Sequence, residues 1–445
     1  MYETVFRHAF LPLFENLIKR RPTMRCLAEY EAAQWLGKEA LAAHQLGKLN
    51  TLLQRAWRDV PFLQTWWGDH GLQPVPLRDV AELAAYPILT KDFIREHFQA
   101  LTAAAPRYRV LTKTTSGSTG APFRLTYTQD SYAARTALMW RGYRWAGTDI
   151  GRRTAYVWGL PVGALPGRKE LLYHALFNRR MLNSLEMRSD NLASYVQAIN
   201  RFKPRTIVGY TTPLATLARW IVDNGAKVHT PQSLLTGAEA LHDPQRRLIQ
   251  QAFGAPVFNT YGCREFGLMA SECSAGSMHL STDHVVAETV GDDDRPVSGV
   301  LGHLLVTDLS NHALPFVRYR VGDMATLSDQ PCRCGRGLPL LASLQGRTLD
   351  MIRTRDGRLV PGEFFPMVLN ECLSVLQYQV VQPDLDHLEI KVVGKTGAAA
   401  PDFTHIAAEL RKAVGADVHI NITQVDSIPL TAAGKLRVTV SHVTG

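Results

Sequence analysis

The chain has 445 residues, 46% of them hydrophobic and 20% charged, which is more than one hydrophobic core accommodates, so two or three domains are expected. No uncharged apolar run approaches the roughly 18 residues of a membrane-spanning helix, and Met1-Tyr2-Glu3-Thr4 lacks the basic start and apolar core of a secretion signal, so the expectation is a cytoplasmic protein without membrane insertion. Lys and Arg total 49 against 40 Asp and Glu, a formal charge of +9; with no basic run or RNA-binding signature, this suits a small polyanion better than nucleic acid. The scattered Arg135, Arg141, Arg144, Arg152 and Arg153 read singly as solvated surface charge.

Residues 1–98 read as a helical arm packed on the large domain. Leu41, Leu46, Leu49, Leu52, Leu53 and Ala56 recur at helical spacing up to Pro61, and Trp66 and Trp67 read as packing residues. In Pro87-Ile88-Leu89-Thr90-Lys91-Asp92 the pattern breaks, with Thr90 placed to cap a helix carrying Phe93, Ile94 and Phe98.

Next comes the run Thr114-Thr115-Ser116-Gly117-Ser118-Thr119-Gly120-Ala121-Pro122. Its glycines let backbone N–H groups turn toward an anion, and its hydroxyls add donors, so it looks built to cradle a phosphate. A Walker loop would need Gly-Lys-Ser/Thr at its end, where Ala121-Pro122 stands, which excludes that class of ATPase.

From 99 to 347 short apolar runs alternate with helix patterns: Thr154–Gly159, a helix near Asn191–Arg201, Thr206–Tyr210, a helix from Pro213, Ser233–Thr236, a helix near Pro244–Phe253 and Val257–Tyr261. The alternation predicts an α/β domain with largely parallel strands and ligands at the strand ends, where Gly237-Ala238-Glu239 and Tyr261-Gly262 fall. Tyr156, Trp158, Gly159 and Tyr210, with Gly237, stand at such ends and are aromatic or small, as an organic pocket requires.

Cys273 and His279 precede Cys332-Arg333-Cys334-Gly335, and these thiols and imidazole could form the four ligands of a tetrahedral Zn²⁺ site, the alternative being free buried cysteines. Cys26, Cys263 and Cys372 read as packing residues. Residues 348–445 read as a small α+β domain: Leu388, Ile390 and Val392 alternate, Phe403, Ile406, Ala407, Leu410 and Val414 mark a helix, and Val418, Ile420 and Ile422 alternate again. Its last loop carries Gly434-Lys435.

A Thr-Ser-Gly-Ser-Thr-Gly-x-Pro loop, Tyr261-Gly262-Cys263-Arg264-Glu265, Tyr319-Arg320-Val321-Gly322-Asp323, Gly346-Arg347 and a terminal Pro-x-x-x-x-Gly-Lys, in this order, resemble the adenylate-forming superfamily and most of all its phenylacetate–CoA ligase branch. The resemblance runs from about residue 87 to the C-terminus and implies a large multi-layer α/β domain with a helical N-terminal arm and a small mobile C-terminal domain. It implies ATP as the nucleotide, with Thr115, Ser116, Gly117, Ser118, Thr119 and Gly120 around its phosphates and Glu265 on Mg²⁺. Tyr261, Gly262, Gly237, Ala238 and Glu239 would border adenine, Asp323 would take the ribose hydroxyls, Arg347 would reach ribose or phosphate, and Lys435 would bridge carboxylate and α-phosphate. Some relatives in this branch carry a comparable metal site, in keeping with Zn²⁺ at Cys273, His279, Cys332 and Cys334.

Two residues depart from the pattern. Arg264 stands where the superfamily has Ser or Thr, so the usual hydroxyl contact is absent but its guanidinium could still bind phosphate, and Leu349, followed by Asp350, replaces the acidic hinge residue, which leaves the hinge unassigned. The implied reaction is activation of a carboxylic acid, by default aromatic, to an acyl-adenylate, followed by transfer to CoA. A carrier-protein phosphopantetheine or an amine is the alternative acceptor, and a non-catalytic nucleotide-binding scaffold is the alternative of another class. A homodimer is compatible with all of these.

Overall fold

An eleven-stranded sheet organises the computed structural model, which describes residues 2–103, 110–115, 123–159, 167–188, 190–239, 241, 243–345, 352–360, 364–369, 375–394, 403–428 and 439–443. Ahead of that sheet, β1 (Val110–Thr115) and β2 (Phe123–Thr128) form a separate antiparallel hairpin. The sheet itself begins with β3 (Thr154–Trp158), β4 (Arg179–Asn183), β5 (Thr206–Tyr210), β6 (Ser233–Gly237) and β7 (Val257–Cys263), which run parallel in the order β4-β3-β5-β6-β7. Their residues alternate between two packed faces. Ala155, Val157, Ile207 and Leu234 meet the helices Leu192–Phe202, Thr211–Asp223 and Asp243–Phe253, while Tyr156, Trp158, Val208 and Leu235 point to the other side.

Beyond β7 the expectation of a largely parallel sheet fails. β8 (Gly267–Glu272), β9 (Met278–Leu280), β10 (Val285–Val290), β11 (Gly302–Asp308), β12 (Tyr319–Ser328) and β13 (Leu340–Gln345) are antiparallel and complete the order β10-β11-β12-β13-β9-β8-β7. The cause is connection length: no helix lies between Val257 and Gln345, and chain segments this short can join only antiparallel neighbours.

The arm shares its core with the sheet. Leu49, Leu52, Leu53 and Ala56 of the helix Lys38–Asp59, with Trp67 of the next helix, join one cluster with Phe266, Val286, Phe316 and Tyr319. Thr90 caps its helix as expected, its Oγ1 accepting from Phe93 N at 3.3 Å. Among the described residues, no helix is long and apolar enough to cross a membrane.

The reading of the arginines as solvated charge is corrected for two of them. Arg141, 1% exposed, pairs with the fully buried Asp283, and its guanidinium also donates to Tyr30 O and Ser281 Oγ. Arg135 donates to the buried Asp308 at 2.5 Å. Both lie in the helix Gln129–Trp145, sandwiched between the arm and the sheet.

A further hydrophobic core lies mainly in the C-terminal part. β14 (Ile352–Arg353) and β15 (Leu359–Val360) form a short hairpin, and β16 (Val375–Gln382), β17 (His387–Gly394), β18 (His419–Gln424) and β19 (Thr439–Ser441) make a sheet of order β18-β17-β16-β19. Leu388, Ile390 and Val392 pack on Ile406, Leu410 and Val414 of the helix Phe403–Val414, as their spacing predicts.

Candidate active site

The parallel strands reverse their order between β3 and β5, and ligands of open α/β sheets lie outside the carboxyl ends of the strands at such a point. Trp158 at the end of β3 and Tyr210 at the end of β5 meet there, ring centroids 4.2 Å apart. A Cβ on Gly159 would come 3.3 Å from the Tyr210 ring, and Gly237 pairs with Tyr210 across the next strand. Tyr156 stands further back on the same face, with the Arg179 guanidinium 5.5 Å from its ring centre. Burial raises its phenol pKa, so it stays neutral.

The turn after β6 is held in an unusual conformation. Ala238 has φ +66°, a left-handed backbone that non-glycine residues rarely adopt, and a Cβ on Gly237 would lie 2.6 Å from Thr260 Oγ1. Thr211 Oγ1 donates to Glu239 O at 3.4 Å and Thr260 Oγ1 to Thr236 O at 2.7 Å, tying this turn to the start of the helix Thr211–Asp223 and to β7. One strand over, a Cβ on Gly262 would meet Gly267 O at 2.2 Å, so only glycine fits the bulge between β7 and β8.

Tyr261 and Asp323, 62 residues apart, are brought into contact: the phenol donates to Asp323 Oδ2 at 2.8 Å. Cys263 lies near both Asp323 and Glu265, and burial above all, with Glu265 adding, pushes its thiol well above the usual range, consistent with a packing role. Glu265 itself is 9% exposed. The loop carrying it is clamped at the carbonyl of Arg264, which accepts from Tyr127 Oη at 2.6 Å and Arg135 Nη1 at 3.4 Å.

Lys91 went unread in the sequence as a site residue. Its Nζ lies 3.7 Å from Glu265 Oε1 and 5.0 Å from the centre of the Phe123 ring. The backbone of Leu89 places it, bonding to β12 through Leu89 N to Arg318 O and Arg320 N to Leu89 O. A lysine in the first turn of a capped helix was the available signal, but nothing local links it to a carboxylate 174 positions on.

The Ser116–Gly120 loop, Arg347 and Lys435 lie outside the described residues, as do Leu349 and Asp350; of Thr115 only the backbone is described. Thr115 pairs with Phe123, so the two flanks of the loop are joined as a hairpin. Phe123 stacks on Tyr319 with centroids 6.4 Å apart and lies under Lys91, so this hairpin base is next to the Glu265 loop.

Apart from these groups, Cys273, His279, Cys332 and Cys334 converge, their ligand atoms all within 4.8 Å of one another. The sulfurs of Cys273 and Cys332 are 3.7 Å apart, against roughly 3.75 Å for two thiolates on a tetrahedral Zn²⁺ with Zn–S bonds of about 2.3 Å. Cys334 Sγ lies 3.2 Å from His279 Nε2, and His279 Nδ1 faces Leu338 O at 2.8 Å, the second contact that fixes the ring and turns Nε2 toward the thiols. Burial, with Cys332 and Cys334 adding, holds the Cys273 thiol up at about 11. At Cys332 burial is the largest influence, yet hydrogen bonds from the Cys334 N–H and the Ser277, Cys334 and His279 side chains outweigh it and bring the thiol down to about 6. The donor set fits Zn²⁺.

Residues 85–333, more than half of the chain, match the family model described as AMP-binding enzyme, and residues 352–442 match the CapK C-terminal domain. Protein CapK of Staphylococcus aureus is 25% identical over 82% of this chain and 81% of its own. The phenylacetate-coenzyme A ligase of Thermus thermophilus is 27% identical over 84% and 85%, and that of Escherichia coli 26% over 90% and 94%. A solved 2-hydroxyisobutyryl-CoA ligase, in complex with its acyl-AMP and CoA in the thioesterification state, superimposes with a TM-score of 0.61 at 19% identity, covering 92% of this chain and 91% of that one, and so shares its fold.

Proposed function

The chain belongs to the AMP-binding enzymes, in the adenylate-forming branch that resembles phenylacetate–CoA ligases, and from that membership we propose that it activates a carboxylic acid with ATP and passes the acyl group to CoA. In the first step a carboxylate oxygen of the acid attacks the α-phosphorus, the bond to pyrophosphate breaks, and an acyl-adenylate forms. In the second, the CoA sulfur attacks the acyl carbon, its proton is lost to solvent, and AMP leaves. The observation that carries the reading is the convergence of the Tyr261–Asp323 pair, the Glu265–Lys91 pair and the base of the Ser116–Gly120 loop beside the carboxyl ends of the strands.

In this reading Tyr261, Gly237, Ala238 and Glu239 border adenine, with Ala238 in its left-handed turn. Asp323 takes the ribose hydroxyls with Tyr261 holding its second oxygen. Glu265 would hold Mg²⁺, which neutralises phosphate charge when bound. Lys91 adds a cation on the same side, Arg264 contributes its carbonyl to the clamp, Arg347 would reach the ribose or phosphate, and Lys435 would bridge the carboxylate and the α-phosphate. Trp158, Gly159 and Tyr210, with Tyr156 behind them, would line the acid pocket; their rings suit an aromatic acid. The division into an arm (1–98), a large domain (99–347) and a small domain (348–445) carrying Lys435 is part of the proposal.

Pyrophosphate exchange over a panel of aryl, fatty and amino acids tests the reading, followed by thioester detection with CoA. Absence of exchange with every acid would leave only a nucleotide-binding scaffold, and exchange without thioester would point to a carrier-protein thiol or an amine as acceptor.

Asp323→Ala is expected to weaken ATP binding by about 1.5–3 kcal/mol, since ribose hydroxyls lose a charged acceptor. Calorimetry on the folded variant reads this directly, and an unchanged affinity would remove Asp323 from the nucleotide site. Purified protein is expected to hold one Zn²⁺ per chain at Cys273, His279, Cys332 and Cys334, with a structural role, because four protein ligands leave no open position. The variant Cys332→Ser with Cys334→Ser should lose the metal and melt at lower temperature before its acid preference changes. Elemental analysis of protein prepared without added metal decides it; six titratable thiols and no zinc would refute the site.

A further inference from the structure

Among the described residues, fourteen large hydrophobic side chains remain exposed, and eight of them belong to two touching helical segments. Residues Tyr2–Ile18 form one continuous helix that passes through two widened π-type stretches. Its inner side is anchored: Phe6 and Leu11 are buried, and Phe6 and Phe14 pack edge-on against Phe177. Its other side carries Tyr2, Val5, Leu13, Leu17 and Ile18, with Leu13, Leu17 and Ile18 each more than half exposed. Positions 5, 9, 13 and 17 are four apart and so share one side of the helix. The helix Arg168–Leu176 meets this one through Tyr173 and Phe14, at 6.3 Å between centroids, and adds exposed Leu171, Leu172 and Tyr173.

The exposed charges around this ridge that lack an ion-pair partner are basic. Lys19 and Arg20 end the first helix, and Arg168 and Lys169 begin the second; all four are exposed and none is in an ion pair among the described residues. Lys19 lies over the Phe14 ring, 5.3 Å from its centre, so one ammonium borders the apolar side itself. The acidic groups of the two helices are already engaged: Glu3 with Arg7, the buried Glu15 with Thr23, and Glu170 with His174.

An apolar helical side bordered by unpaired cations has the make-up of a segment that lies in a membrane interface, apolar side chains among the acyl chains and cations at anionic headgroups. An outward helix is convex, which suits a deformable surface, and the chain's net charge of +9 adds long-range attraction. The geometry points to this ridge as a docking surface for an anionic lipid bilayer, on which the protein lies without inserting a span. The inference does not depend on the proposed reaction.

Sedimentation of the full chain with vesicles tests it. The expected result is binding to vesicles of equal parts phosphatidylcholine and phosphatidylglycerol, weakening with added salt, and little binding to phosphatidylcholine alone. Leu13→Asp with Leu17→Asp should lower partitioning by about tenfold or more while the melting temperature holds, since both side chains already face solvent. Should that variant fail to fold, Lys19→Glu with Arg20→Glu, which keeps the apolar side, should lose the preference for anionic vesicles. Equal partitioning of the variants and the parent would overturn the inference. So would a parent that ignores both vesicles but runs as a dimer split by the same substitutions, which would assign the ridge to a second copy of the chain.

Discussion

Lys435→Ala is expected to cut ATP–pyrophosphate exchange by about 10²-fold or more while leaving ATP affinity close to that of the parent. The reason lies in when its charge is needed. In the proposed reading the Ser116–Gly120 loop and Mg²⁺ would already hold the phosphates in the ground state, whereas negative charge grows on the α-phosphate only as the carboxylate attacks, and a point cation on a flexible stem would stabilise that moment. Thiol transfer from a supplied acyl-adenylate should persist, because in the proposed reading the lysine serves the first step and would withdraw before the thiol enters. Exchange at the parental rate would show that another group carries the adenylation step; Lys91, beside Glu265, is the described cation with the best claim.

Asp283→Ala is the substitution expected to damage stability most, by about 3–5 kcal/mol, because it strands the Arg141 guanidinium at 1% exposure without a counter-charge. Removal of one partner from a buried pair is far worse than removal of both, so Arg141→Met combined with Asp283→Leu should recover most of the loss. Urea unfolding followed by near-ultraviolet dichroism of the buried tryptophans would read both variants. A parental midpoint for Asp283→Ala would mean that Arg141 escapes to solvent. The Arg135–Asp308 pair obeys the same rule but sits closer to the chemistry: Arg135, through its bond to the Arg264 carbonyl, also steadies the loop of Glu265.

Local signals in the sequence carried far in some places and nowhere in others. The β5 strand, Thr206–Tyr210, is a short apolar run bounded by turns, and its limits are read correctly from residues alone. Thr90 as a cap and the cysteine cluster were legible for a similar reason: one is a pattern of adjacent residues, the other a rare residue type whose chemistry restricts its partners. Arg141 and Asp283 are 142 positions apart, and neither has a neighbour in sequence that marks it as buried, so both look like surface charge. Lys91 was missed on the same ground. The antiparallel half of the sheet was misread because its strands look like any others; what differs is the shortness of the segments between them.

The partners of the arm lie very far along the chain. Tyr30 Oη meets His284 Nδ1, Gln34 Oε1 accepts from Arg336 Nε, and Gly337 approaches the Leu36 carbonyl so closely that a Cβ there would stand 1.8 Å from it. At a ribosomal pace of about 5–20 residues per second, the helix Lys38–Asp59 must wait on the order of 12–48 seconds before the strand Val285–Val290, which it meets through Gln45 and Val285, exists. During that interval its apolar side is covered only in part, by Trp67, Leu83 and Tyr86, which makes the nascent arm a segment in need of a chaperone. Moving the arm to the C-terminal side by circular permutation would remove the wait, and the yield of soluble protein would register the difference.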